Sequence, residues 1–297
     1  MSMLDVLCVG HAPYDITMGV GHHPGPDEKM QARAMRGSGG GPAANAAVAV
    51  RRLGGSSGFC GYLGNDVFGE AHAGELAAEG VDISFVVRGD HPTSISAILA
   101  KPDGLRSVVN YKADTPWLAP ASVKGLPESD ARVLLCDGHE PLISPDLVRQ
   151  ARERHIPTVL DAGSVHRGTE ALAPIVDHLV CSERFALHWT GANDAHVALQ
   201  KLAEMAPHLV ITRGEAGLLW ARDGQTGHLP AFAVAAVDST GAGDAFHGAF
   251  ALALARGMAW PELLRYAAAA GALACTHIGA RAGLPDAAAV RSLLDSP

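Results

Sequence analysis

The sequence predicts an α/β fold: a three-layer α/β/α sandwich with a mostly parallel central sheet and a small β lid. Three observations predict it. Short apolar runs alternate with longer helix-patterned segments along most of the chain, the order expected of repeated strand–helix–strand units. The apolar runs are continuous rather than alternating, as in parallel strands covered by helices on both faces. Two segments break that rhythm with alternating polar and apolar residues, the pattern of half-exposed antiparallel strands.

In chain order, Leu4–Val9 reads as the first buried strand. The first alternating segment covers about residues 14–36 and includes Lys29-Met30-Gln31-Ala32-Arg33-Ala34. A helix is expected over Ala43–Leu53, a strand over Gly58–Gly61 and a helix over Val67–Glu79. The second alternating segment, about residues 85–111, contains Thr93 to Ala100. Strands at Val133–Cys136, Thr158–Leu160, His178–Cys181 and Leu209–Thr212 follow, with helices at Pro145–Arg154 and Ala195–Ala206. From Gly241 on, the chain is Ala-rich and reads as wholly helical. The two alternating segments should form a small sheet that projects from the core as a lid. With no repeat or low-complexity linker, residues 1–297 read as one domain, and 48% hydrophobic residues suffice for one large core.

Composition removes several classes. A net charge of −8 without any dense Lys/Arg run argues against nucleic-acid binding. The N-terminal residues lack the basic-then-apolar pattern of a secretory leader. The Ala-rich helix candidates are interrupted by Arg, Gly or His, so no membrane span and a cytoplasmic location are expected. None of the five cysteines forms a CxxC pair, which fits buried thiols in a reducing compartment. The fifteen histidines include no HExxH pattern or matching Cys/His spacing.

The chemistry concentrates in Asp238-Ser239-Thr240-Gly241-Ala242-Gly243-Asp244. Two glycines separated by one small residue allow a close backbone turn with outward N–H groups. A helix starting there adds its positive dipole end, making an anion site suited to phosphate. Asp244 falls in the first helical turn, where it complements the dipole and also stands within reach of a bound phosphate. A second glycine run, Gly39-Gly40-Gly41-Pro42-Ala43-Ala44-Asn45, lies too far from the first strand for a dinucleotide fingerprint. Thr212-Arg213-Gly214-Glu215-Ala216-Gly217 follows an apolar strand, and no GxxxxGK[ST] phosphate loop exists.

At these residues the chain resembles the ribokinase/PfkB family of carbohydrate and nucleoside kinases, over nearly its whole length. The resemblance implies a ribokinase-like fold and an anion hole at Gly241, Ala242 and Gly243, with Asp244 as catalytic base. It implies sugar contacts from Asp15, Gly40, Gly41 and Asn45, and ATP contacts from Thr212, Gly214, Gly217, His277 and Gly279. MgATP is the implied donor, and Asp238 is a candidate ligand for a monovalent cation such as K+. One departure stands out. The family's N-x-x-E is here Ser182-Glu183-Arg184-Phe185, which leaves Glu183 to act on Mg2+ through water.

Further details resemble the branch of 6-deoxy-6-sulfofructose kinases: Gly39 to Ala44, Val109-Asn110-Tyr111, and Gly279 to Asp286. In that branch Lys29 and Asn110 would help grip a sulfonate, and His139 stands where an Arg is usual; imidazole is a poorer anion clamp than guanidinium. The resemblance also implies a homodimer paired through the lid. The expected activity is therefore an ATP-dependent sugar kinase. A nucleoside kinase of the same fold, or a catalytically silent sugar- or nucleotide-binding regulator, are the alternatives. Only 5% aromatic residues and no evident aromatic pair to stack a base rank the nucleoside second.

Overall fold

The computed structural model describes residues 3–101, 105–112, 114–123 and 130–296. The strands are β1 (Leu4–Val9), β2 (Tyr14–Gly19), β3 (Ala34–Gly39), β4 (Ser57–Cys60), β5 (Tyr62–Gly64), β6 (Val87–Gly89), β7 (Ile95–Ala100) and β8 (Arg106–Tyr111). They continue as β9 (Ala131–Cys136), β10 (Thr158–Ala162), β11 (His178–Ser182), β12 (His208–Thr212), β13 (Leu218–Arg222) and β14 (Gln225–Leu229). The helices are α1 (Pro42–Arg52), α2 (Val67–Ala78), α3 (Ser144–Glu153), α4 (Arg167–Leu172) and α5 (Glu183–Thr190). After them come α6 (Ala195–Ala203), α7 (Ala242–Ala255), α8 (Trp260–Ala274), α9 (Ala280–Gly283) and α10 (Ala287–Leu294).

The central sheet runs β14-β13-β12-β11-β10-β9-β1-β4 and is parallel from β4 to β12. Side chains of β1 alternate between two cores. Val6 and Cys8 pack among α1, α7 and α8, while Leu7 and Val9 pack on the side of α3 to α6. A strand buried on both faces reads as a continuous apolar run, which is why the order of strands and helices was legible.

On the first face, close helix packing positions the chemistry. Gly248 of α7 lies so near α1 that a Cβ there would come within 2.6 Å of the Ala46 carbonyl oxygen. Small residues on both helices permit this approach, and it sets Asn45 of α1 against the start of α7.

The small sheet has the order β3-β2-β7-β8, antiparallel except for the parallel pair β2/β7. It differs from expectation at two places. Lys29 belongs to no strand: β3 begins only at Ala34, and Lys29 sits in the exposed loop before it. Two prolines (Pro24 and Pro26) and Asp27 at φ +60° divert that loop from a ladder. Farther on, Phe85 is buried in the main core, and β6 pairs with β5 in a separate two-stranded sheet. The second segment of the small sheet therefore starts at Ile95. The β13–β14 hairpin was not expected either, although its Asp223-Gly224 turn, both residues at positive φ, is a hairpin signal present in the sequence. Among the described residues no helix is long and apolar enough to cross a membrane.

Candidate active site

The site lies at the carboxyl ends of the parallel strands, where open α/β sheets bind ligands. Gly241 caps α7 at φ +81°, and a Cβ on it would come within 2.7 Å of the Ala280 Cα. Only glycine satisfies both conditions. The next three residues open the helix. The Ala242 amide makes a long bond of 3.3 Å to the Ser239 carbonyl, whereas those of Gly243 and Asp244 take no bond among the described residues. These are the free donors every helix start leaves, and Gly243 itself is exposed.

Asp244 is fixed from α1: Asn45 Nδ2 donates to its Oδ2 at 2.7 Å. The Asn45 amide is itself oriented, because its Oδ1 accepts from Arg281 Nε and Nη2 at 3.3 and 3.2 Å. Arg281, only 5% exposed, also meets Glu75 at 3.1 Å, and Glu75 accepts the Gly39 amide at 2.8 Å. One chain of polar contacts thus runs from the end of β3 to the carboxylate of Asp244. Burial and the neighbouring Asp161 push the Asp244 carboxyl up to about 7, while Asn45 and His247 oppose the shift.

Asp15 enters from β2. Its register partners are Ser38 of β3 and Ser96 of β7, and Ser96 in turn faces Asn110 of β8. Ser38, Asp15, Ser96 and Asn110 therefore form one row across the small sheet. The Ser96 hydroxyl donates to Asp15, whose carboxyl burial raises to about 6. Gly40 lies directly against the Asp15 carboxylate, and Gly41 caps α1. Lys29 stands apart in its loop.

Past the strand ends, His11 follows β1, His139 follows β9 and His166 follows β10. Their rings line up, with centroids 5.2 Å apart for His11 and His139 and 4.6 Å for His139 and His166. Asp137 beneath them accepts the amides of His11 at 2.8 Å, His139 at 2.9 Å and Ala43 at 3.2 Å. Burial holds His11 down to about 3, so this ring is neutral at physiological pH.

On the opposite flank, the Thr212–Gly217 segment makes a tight turn, closed by the Arg213 amide on the Gly217 carbonyl at 2.8 Å. Gly214 and Gly217 both have positive φ. Glu183, at the start of α5, accepts from Arg213 Nε at 3.0 Å through one oxygen. His277 is exposed, and the Gly279 amide donates to Asp238 at 2.8 Å. Asp238 also accepts the Thr240 amide at 2.9 Å and its hydroxyl at 2.6 Å. Arg106, from β8, bonds the Thr240 hydroxyl and lies 3.4 Å from Asp238, tying the small sheet to the loop before α7.

The pfkB family carbohydrate kinase model matches residues 3–287. The chain belongs to that family. A ribokinase of Bacillus subtilis (strain 168) is 28% identical over 296 residues, covering 98% of this chain and 100% of its own length. A fructokinase of Salmonella typhimurium is 32% identical over 297 residues, covering 86% of this chain and 92% of its own. Among solved structures, Arabidopsis thaliana ribokinase complexed with ribose and ATP superposes with a TM-score of 0.87 at 25% identity, over 100% of both chains. This pfkB chain is an ATP-dependent carbohydrate kinase.

In this kinase the sequence reading missed Arg281, Arg106, Ser96, His11 and His166. The count of Phe, Trp and Tyr also left out the flat rings of the three imidazoles past β1, β9 and β10. The alternation through Ser96 was visible, but its pairing with Asp15 depends on register. The remaining residues meet the site across sequence separations as long as 236 residues, for Arg281 and Asn45, and leave no local pattern.

Proposed function

We propose that this kinase transfers the γ-phosphoryl group of ATP to a hydroxyl of a ketose, a sulfofructose-like or a related small sugar, with Asp244 as base. The observation that carries this reading is the carboxylate in the first turn of α7, held by Asn45 at 2.7 Å beside two amides that take no bond among the described residues. Phosphoryl transfer needs positioning and charge stabilisation more than covalent chemistry. A base near neutral pKa suits proton removal from a sugar hydroxyl. In this reading Gly241, Ala242 and Gly243 form the anion hole. Asp15, Gly40, Gly41, Asn45 and Asn110 meet the acceptor, His139 borders it with its two neighbours, and Lys29 supplies a lid charge. Thr212, Gly214, Gly217, His277 and Gly279 meet ATP.

Glu183 fits a role toward Mg2+, since its second oxygen has no partner among the described residues and is a hard donor. Bound Mg2+ would neutralise phosphate charge. Asp238 does not fit a K+ site: its carboxylate is engaged by the Thr240 amide and hydroxyl, the Gly279 amide and Arg106. We assign it instead to clasping the two loops together.

The whole chain acts as one kinase domain, with the small sheet as a lid that excludes water. Its outer face exposes Met35 (74%), Val109 (69%) and Tyr111 (59%), which supports pairing of two lids in a homodimer. Four buried free cysteines of five support a reducing, cytoplasmic location. A nucleoside acceptor is the second reading, favoured by the imidazole row, which offers flat faces to a base.

The test is ADP release across ketoses, sulfofructose, sugar phosphates and nucleosides, for the native chain and Asp244→Asn. We expect saturation by a sugar and a loss of about 10²- to 10⁴-fold in kcat in the variant, with ATP binding retained. Saturation by nucleosides alone overturns the acceptor, and near-native turnover of Asp244→Asn overturns the base. Silence across the whole panel would point to a regulator.

A further inference from the structure

His247 sits on α7 four residues past Gly243 and is 3% exposed. Each of its ring nitrogens faces a backbone carbonyl. Nδ1 lies 2.7 Å from the Gly243 oxygen, and Nε2 lies 3.1 Å from the Val180 oxygen on β11. A carbonyl oxygen only accepts, so a lone pair on either nitrogen would be pressed against another lone pair. Both contacts are satisfied together when both nitrogens carry hydrogen, which makes the ring an imidazolium.

A buried cation needs a counter-charge. Asp161 of β10 supplies one: its Oδ2 lies 3.2 Å from Nδ1, and it too is buried. A neutral acid beside a neutral imidazole holds the same two protons as the ion pair, so the choice is only where one proton sits. Taken singly, burial pushes Asp161 up and His247 down, toward the uncharged pair. The Val180 and Gly243 carbonyls and the Asp244 carboxylate oppose that for His247 without outweighing burial, so the contact geometry decides the case. The Gly243 oxygen, the shortest of the contacts, keeps the proton on Nδ1. The other titratable groups around the pair are Asp137 after β9, Cys181 on β11 and, beyond Asp244, Asp15 on β2.

We propose that His247 is a positioning residue carried as an imidazolium, with Asp161 as its counter-ion, and that it strengthens the anion hole at the start of α7. The Gly243 carbonyl and the Asp244 amide belong to one peptide group. A charged donor on the oxygen polarises that group and makes its N–H a stronger donor to an anion. This amide is one of the two at the start of α7 that take no bond among the described residues. The fixed positive charge also offsets the negative charge gathered by Asp244 and a phosphoryl group in transit, without reorganisation during the reaction. The functional half of the proposal rests on reading Gly241–Asp244 as the phosphoryl site.

NMR of protein carrying ¹⁵N-labelled histidine reads the ring directly. Its signals are assigned by their loss in His247→Gln or, should that variant not fold, by couplings across the hydrogen bonds to Gly243 and Val180. At about pH 7.5, where a free imidazole is neutral, we expect both ring nitrogens to be protonated. A neutral tautomer overturns the proposal. Asp161→Asn removes the counter-charge and is expected to return the ring to a neutral form. It should also lower kcat about tenfold, read at about pH 9 where Asp244 is ionised with or without Asp161, while leaving both KM values within about twofold. An unchanged kcat overturns the link to the anion hole. The ring measurement needs no turnover, so its failure is distinguishable from failure of the Asp244 assignment, which Asp244→Asn tests.

Discussion

At the scale of single residues, the proposed role of Asp244 as base implies a pH threshold. Burial and Asp161 raise its carboxyl to about 7, and a base works only as the carboxylate. Turnover should therefore fall as the pH drops through about 7 and recover on return. Asn45 opposes the shift by donating to the ionised form. In Asn45→Ala the acid limb of kcat against pH should move to higher pH, with a raised KM for the acceptor. A limb that stays in place would separate Asn45 from the ionisation of Asp244. The helix start from Gly241 to Asp244 was legible because its turn and cap are local chemistry. Arg281 was not, since only the fold brings it to Asn45.

At the scale of elements, the strands and helices of the main sheet were legible because burial on both faces writes continuous apolar runs. Boundaries failed where the pattern was ambiguous: Lys29 sits in an alternating stretch that prolines and Asp27 keep out of the ladder. The contact from β8 to the loop before α7 was invisible for another reason. An arginine in an exposed strand carries no sign of its partner, here Thr240 and Asp238. Arg106→Ala should lower kcat/KM about tenfold, the scale of one charge-assisted hydrogen bond at a half-exposed site. Steady-state kinetics together with faster amide exchange in β8 would check it. Unchanged exchange would mean that Arg106 does not tether the small sheet.

At the scale of the whole molecule, the two ends of the sheet divide labour. Chemistry collects at the carboxyl ends, while His178 and His208 begin β11 and β12 at the opposite end, stacked with centroids 4.5 Å apart near Trp260. Burial lowers both, His178 to about 3. The unfolded chain takes up protons near pH 6.5 that the folded ring refuses, so stability is lost as the pH falls from about 6.5 toward 3. The slope is at most about 1.4 kcal/mol per pH unit for each histidine. Denaturant unfolding at pH 7 and pH 5 should show a smaller loss in His178→Phe than in the native chain, and an equal loss would exclude His178 as a source. The sequence places His178 at the start of its predicted strand and His11 and His139 past the ends of theirs, but the stacking of His178 on His208 depends on the register of β11 and β12.

The row of Ser38, Asp15, Ser96 and Asn110 carries one more consequence. Neighbouring strands hold these residues in step, and side chains alternate between faces with a period of two. One residue inserted just ahead of Ile95, with the upstream register kept, would turn Ser96 away from Asp15 and bring Ile95 into its place. A substitution in this small sheet alters one contact, but a change of length by one exchanges its two faces. The spacing between β2 and β7 partners is thus under tighter constraint than the identity of most residues within them, and variants of this chain should tolerate replacement there far better than insertion or deletion.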